Sequence, residues 1–366
     1  MLKNLWRSLA CSAAALTSLA TPTLNAASPL APPVKVAFVY VSPVGQAGWT
    51  YQHNQGRLAM EAEMGPLVKT TVVEAVAEGA DSERVMRDLA AQGNQLIFAT
   101  SFGYLEPALR VAAEVPGAKF EHAGGYKTAA NLNTYNARYY EARYLAGMIA
   151  GHASSSGVAG YVAGFPVPEV VQGINAFTLG MRSVNPKAEV KVIWLNAWFD
   201  PARERDAALT LVGQGADVLT NHSGSPAVPQ VAEEKGVKLL AYQSDMSQFA
   251  PTAQLAAVTH HWGPYYLHAV RTLLAGTWKP QPVWGGMKDG LVRLTALSPS
   301  LPRAARDAVQ AREKALVSGR FEPFAGILVD NTGQVRQGKG ATMNDAQIAQ
   351  MDWFVQGVVG SVPKAR

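Results

Sequence analysis

Only one cysteine, Cys11, occurs among 366 residues. It falls in a leading segment that reads as an export signal, so the mature chain carries neither disulfide nor thiolate chemistry. Charge is scarce too. Asp, Glu, Lys and Arg make up 16% of the chain, below the roughly 25% of ordinary domains. That composition argues against a nucleic-acid partner and against a disordered chain. Past the leading segment, no stretch is long and apolar enough for a transmembrane helix. The signatures H-E-x-x-H and G-x-S-x-G are missing, as are paired cysteines, so no catalytic motif is on offer.

The leading segment has a positive start, Lys3 and Arg7, and an apolar stretch, Leu9 to Ala20, too short to span a bilayer. Cleavage is expected near Ala26, making 1–26 a signal peptide. With those two charges gone, the net charge of +5 falls to +3. Cys11 lies too early in the apolar stretch for lipid anchoring, so the product is expected to be periplasmic and free of the membrane.

What remains alternates strand and helix. Val34 to Val41 is β-branched, aromatic and almost wholly apolar, as a strand covered on both faces should be. A long loop follows, and a helix is expected from Arg57 to Met64. Asp81 is expected to cap the next helix. A composition break at Ala153 to Gly157 precedes a second strand-and-helix series. Two such series imply two α/β lobes. The first lobe is expected over 34–153, with about 258–290 returning to it. The second is expected over 157–257 with part of 300–360. A hairpin is expected around Asp330-Asn331-Thr332-Gly333 and a last helix from Asp345 to Gly357.

The stretch from Asn196 to Met246 organises the rest. It reads as loop, helix, strand, loop, helix, strand, loop. In open parallel sheets ligands bind beyond the carboxyl ends of the strands. The residues there are unusual. Trp49 and Tyr51 follow the first strand, and Phe102 follows the third. Trp198 and Phe199 follow a strand of the second lobe, and Trp262 follows His260-His261. Rings in loops, beside Gly, Ser and Pro, suit a flat ligand with hydrogen-bonding edges. His53, Asn54, Ser101, His222, Ser223, Gln243, Asp245 and Lys288 can read such edges. His260-His261 lacks a third ligand at metal spacing, and Gly333 to Gly340 lacks the Ser or Thr of a phosphate loop. Neither is expected to bind a metal or a nucleotide, and no cofactor is expected.

The segments K-V-A-F-V-Y-V-S-P-V-G-Q-A-G-W-T-Y-Q-H-N-Q-G, W-F-D-P-A-R-E-R-D-A-A, G-A-D-V-L and G-M-K-D-G-L-V together resemble the basic membrane protein family. Its members are substrate-binding proteins of ABC importers, similar to a purine-nucleoside receptor. The resemblance implies a periplasmic-binding-protein type I fold, two doubly wound α/β lobes joined by a hinge. It also implies a small-molecule ligand and an ABC permease in the inner membrane as partner. By position, Trp49 matches a stacking aromatic, Asp245 an acidic ligand contact and Lys288 a basic one near the sugar side. The acidic residues that relatives place in the first loop and after the His222 strand are replaced here, by Gly48-Trp49-Thr50-Tyr51 and by Gly224. Without them a free purine base, adenine-like, is expected over a nucleoside. A sensor-coupled binding protein and an exported nucleoside hydrolase are the alternatives. The hydrolase is disfavoured because its chemistry needs clustered carboxylates or a metal.

Overall fold

The computed structural model describes residues 29–363, so the segment read as a signal peptide lies outside the described residues. The chain opens with β1 (Val34–Val39), α1 (Gly48–Met64), β2 (Val68–Val73), α2 (Ala80–Ala91), β3 (Leu96–Ala99), α3 (Leu105–Glu114), β4 (Lys119–Ala123) and β5 (Leu132–Ala137). It then runs through α4 (Tyr139–Ala153), β6 (Val158–Ala163), α5 (Pro168–Val184), β7 (Glu189–Trp194), α6 (Pro201–Gly213), β8 (Val218–His222), α7 (Ala227–Lys235), β9 (Lys238–Gln243) and β10 (Gln254–His260). Next come α8 (Gly263–Leu274), β11 (Val283–Gly285), β12 (Val292–Thr295), α9 (Arg303–Val317), β13 (Leu328–Val329), β14 (Val335–Gln337), α10 (Asp345–Ala349) and β15 (Val358–Val359).

Among the described residues β13 and β14 pair separately, and the other strands form two large sheets, in the orders β11-β5-β4-β3-β1-β2 and β12-β10-β9-β8-β6-β7-β15. All their pairings are parallel except β10 with β12. The first strand shows why. Val34, Val36 and Phe38 enter one core cluster and Ala37 and Val39 another. Both faces are covered, so both must be apolar. Each sheet with its helices is one doubly wound lobe. The chain crosses between lobes at Arg138, around His261, and between Gly285 and Val292. The crossings are tied together: Arg138 N–H donates to Gly285 O at 2.7 Å, and His261 N–H to Leu291 O at 3.0 Å.

Five local expectations need correcting. The first helix starts at Gly48, not Arg57, because its leading N–H is satisfied by Ser244 Oγ at 2.8 Å, not by a neighbouring cap residue. Asp81 is no cap. Gly79 holds that position, and Asp81 lies in the first turn. The composition break at 153–157 misplaces the lobe boundary. The chain crosses before α4, and α4 lies along α5 in the second lobe. Gly147 and Gly180 allow this: a Cβ at either would come within 2.0 Å of backbone oxygen on the facing helix. Likewise β10 belongs to the second sheet, leaving only α8 and β11 to return to the first lobe. The last helix stops at Ala349, after which Asn175 of α5 binds Trp353 O and Val355 N–H and draws the chain into β15.

One carboxyl is buried inside the first lobe. Glu121 accepts hydrogen bonds from Tyr265 Oη at 2.6 Å, Trp278 Nε1 at 2.8 Å and Asn133 Nδ2 at 3.1 Å. Burial still dominates and pushes its pKa up to about 7. A raised acid stabilises the fold below its unfolded pKa and withdraws that stability as pH rises toward the folded value. Stability contributed by Glu121 should therefore fall between about pH 4.5 and 7, by up to about 3 kcal/mol at 1.36 kcal/mol per unit. Urea unfolding of wild type and Glu121→Gln at pH 5 and pH 7.5 checks this. The difference between them should move in the variant's favour at the higher pH.

Candidate functional site

The carboxyl ends of both sheets face each other across one cleft. Its innermost cavity takes Val41 and Ser42 from beyond β1, Trp49 from α1, Ser101 and Phe102 from beyond β3, and Ala123 and Gly124 from the end of β4. The second lobe supplies Glu169 from the first turn of α5, Trp198 and Phe199 from beyond β7, His222 from the end of β8, Gly224 from beyond it, and Gln243 from β9. The cavity has a volume of about 40 Å³. This is a slot between rings, suited to a flat solute.

Of the candidate residues, Trp49, Ser101, Phe102, Trp198, Phe199, His222 and Gln243 line this cavity together. The other candidates are elsewhere. Tyr51 and Asn54 lie on α1 and do not line the slot. Ser223 is buried beside it, its hydroxyl given to Glu204 at 2.8 Å. His53 and Trp262 stack on each other behind Trp49, at 5.1 Å and 6°. Trp262 is 1% exposed and belongs to the hinge core. Asp245 is exposed and turned to its own loop, accepting from Ser247 N–H at 2.9 Å and Gln254 Nε2 at 2.7 Å. Lys288 is exposed on the crossing between lobes. Asp245→Asn and Lys288→Ala should accordingly each leave ligand affinity within about twofold, since surface changes away from a site cost little. Calorimetric titration of the two variants checks this.

Sequence reasoning missed two carboxylates. Glu169 lines the slot, accepts from Asn136 Nδ2 of the first lobe at 3.0 Å, and lies 3.6 Å from His222 Nε2. Glu78 lies at the mouth. Its Oε1 accepts from Ser101 Oγ, Gly103 N–H and Trp198 Nε1. Glu78 follows β2 in the loop before α2, with no aromatic residue beside it to mark it, and Glu169 lies beyond β6 at the start of α5. Glu169 reads as an ordinary acidic residue at a helix start, where the helix dipole favours it. The acidic residue expected at the ligand was Asp245; the carboxylate that lines this slot is Glu169.

Burial lowers the pKa of His222, with Glu169 opposing the shift. His222 Nδ1 and Gln243 Oε1 are buried without a hydrogen-bond partner. Such groups are costly unless something pairs with them. Gln243 and Asn196 also hold positive φ, 73° and 52°. Strained backbone of this kind concentrates at functional sites. Among the described residues there is no group of three His, Cys, Asp or Glu suited to a metal, and no helix long and apolar enough to cross a membrane.

Residues 33–320 match the model of the Bmp family, the PnrA-like ABC transporter substrate-binding proteins. The chain belongs to that family. A purine-binding protein of Brucella abortus is 47% identical over 331 residues, covering 90% of this chain and 94% of the relative. A protein of Haloferax volcanii, whose name provisionally assigns it to glucose binding in an ABC transporter, is 38% identical, covering 90% and 81%. A solute-binding protein of an ABC transporter system from Aeropyrum pernix has the same fold, with a TM-score of 0.69 at 18% identity over 79% of this chain and 93% of that one. This PnrA-like chain is thus an extracytoplasmic substrate-binding protein, not an enzyme. Proteins of this kind bind small molecules and work with a membrane permease.

Proposed function

We propose that this substrate-binding protein loads an ABC importer with a purine base, adenine-like, in the periplasm. The observation that carries the reading is the slot itself. Trp49 and Phe102 come from one lobe, Trp198 and Phe199 from the other, and unpaired buried polar atoms stand at the edge. Aromatic faces take a base from either side, and stacking is worth about 1–3 kcal/mol per base. Glu169 and His222 Nδ1 accept hydrogen bonds from ring N–H and exocyclic amine groups, while Gln243 offers both a donor and an acceptor. The purine-binding relative supports the same class of ligand.

A nucleoside is the second reading, and Glu169 favours it. The carboxylate also borders a neighbouring cavity of about 740 Å³, where a sugar could extend and present its hydroxyls. Glucose is the third, on the strength of the Haloferax relative. Native mass spectrometry of the protein purified without refolding separates them. A retained mass equal to a purine base supports the proposal, a nucleoside mass moves it to the second reading, and a hexose alone overturns it. Permease and ATPase genes alongside this one would favour import over sensing.

A further inference from the structure

One side chain of the slot's outer wall, Trp198, is held from across the cleft. Trp198 and Phe199 line the slot on one side and a separate outer cavity of about 330 Å³ on the other. Trp198 lies edge-on to Phe165, with ring centroids 4.8 Å apart. Its Nε1 donates to Glu78 Oε1 at 3.1 Å, and Glu78 belongs to the opposite lobe. Two first-lobe donors fix that same oxygen, Ser101 Oγ at 2.6 Å and Gly103 N–H at 2.9 Å. The carboxylate is therefore positioned before the indole arrives. Both supporting loops contain a left-handed residue that is not glycine. Ala75, with φ 53°, precedes Glu78, and Asn196, with φ 52°, precedes Trp198. The backbone is bent to bring acceptor and donor together.

We propose that Glu78 is a positioning residue that catches Trp198 when the lobes close, so that their hydrogen bond sets how long the ligand stays. The proposal rests on the slot being the ligand site but on no particular ligand. Opening the lobes must break the bond, whereas diffusion into an open cleft need not make it. Its loss should therefore appear in dissociation and leave association unchanged. A hydrogen bond to a charged acceptor is stronger than a neutral one, and a half-buried one falls at the low end of that range. We expect dissociation about 10-fold faster.

The test uses adenine and stopped-flow fluorescence on wild type, Glu78→Ala, Trp198→Phe and the double variant. Trp198→Phe keeps a ring on the slot, removes the N–H, and does not touch the Ser101 and Gly103 bonds. Each single variant should release adenine about 10-fold faster at an unchanged association rate, and the double variant no faster than either. A purely structural role would lower stability with no such kinetic split. If wild type does not take up adenine, the purine proposal falls and the catch is judged without ligand. Gln46→Cys and Gln248→Cys, at positions linked across the mouth by a hydrogen bond from Gln248 Nε2 to Gln46 O at 3.0 Å, can be joined by a short bis-maleimide in a Cys11→Ser background. Glu78→Ala should lower the crosslinked fraction several-fold. Unchanged dissociation in both single variants, or additive effects in the double, or an unchanged crosslinked fraction where adenine does not bind, would overturn the catch.

Discussion

Gly48→Ala should reduce ligand affinity by about 100-fold while both lobes remain folded. Gly48 begins α1 in the first lobe and lies against Gly224 of the second. A Cβ there would come within 2.1 Å of Gly224 O and 2.9 Å of its carbonyl carbon. Both are backbone atoms, so no rotamer relieves the clash. The lobes would have to stand further apart, and rings from the two sides could no longer close on one ligand. Overpacking costs about 1–3 kcal/mol. The rigid contact places this case near the upper end, which at 1.4 kcal/mol per decade is about two decades in affinity. The positive φ of 92° at Gly48 adds strain to open and closed forms alike, lowering the melting temperature somewhat but not the affinity. Gly224→Ala is the control. Its Cβ would meet nothing nearer than 3.3 Å, so its effect should be much smaller. Calorimetry with the retained ligand, alongside thermal unfolding, separates the two effects. Equal affinity for Gly48→Ala and wild type would mean that closure is not needed for binding.

Trp49→Ala should weaken binding of a purine by roughly 5- to 150-fold, the equivalent of one lost stack. It should also lower the melting temperature. From sequence, a tryptophan in a Gly-rich loop is expected to matter for binding and not for folding. The structure changes the second half of that. Trp49 is on a helix, its Nε1 donates to Thr100 O at 2.7 Å, and its ring lies edge-on to His53 at 4.4 Å and His260 at 5.6 Å. Removing it opens a gap between the slot and the hinge core. Trp49→Phe distinguishes the roles, since it keeps a stacking face and drops the Thr100 bond. Its affinity should stay within a few-fold of wild type while part of the stability loss remains. A fall in stability for Trp49→Ala with no change in affinity would make the residue part of the core alone.

The strands were readable because burial on both faces leaves long β-branched runs such as Val34 to Val39. Trp49, Phe102, Trp198, Phe199, His222 and Gln243 were readable for a related reason. Polar and aromatic residues directly after such runs fall at the carboxyl edge of a sheet, wherever that sheet ends up. Contacts made across the cleft were not readable. Ser244 satisfies Gly48 N–H from 196 residues away, so nothing nearby marks where α1 begins. Glu169 and Glu78 meet the slot only because α5 and the loop before α2 point at it. From sequence, Asp245 and Lys288 are expected at the ligand both as polar loop residues and by their positions in a family pattern. Position in a pattern does not fix which way a loop turns, and here Asp245 closes its own turn. The break at 153–157 marked a real loop but not the crossing, which lies at Arg138, where Gly285 O accepts its N–H and no compositional signal marks it.

Titrating adenine into the ligand-free protein by calorimetry, with adenosine and glucose run in parallel, tests the purine-receptor reading most directly. Adenine should bind with a dissociation constant in the micromolar range or tighter, equivalent to about −8 kcal/mol, and more tightly than either of the other two. No heat with adenine or adenosine, together with saturable binding of glucose, would contradict it.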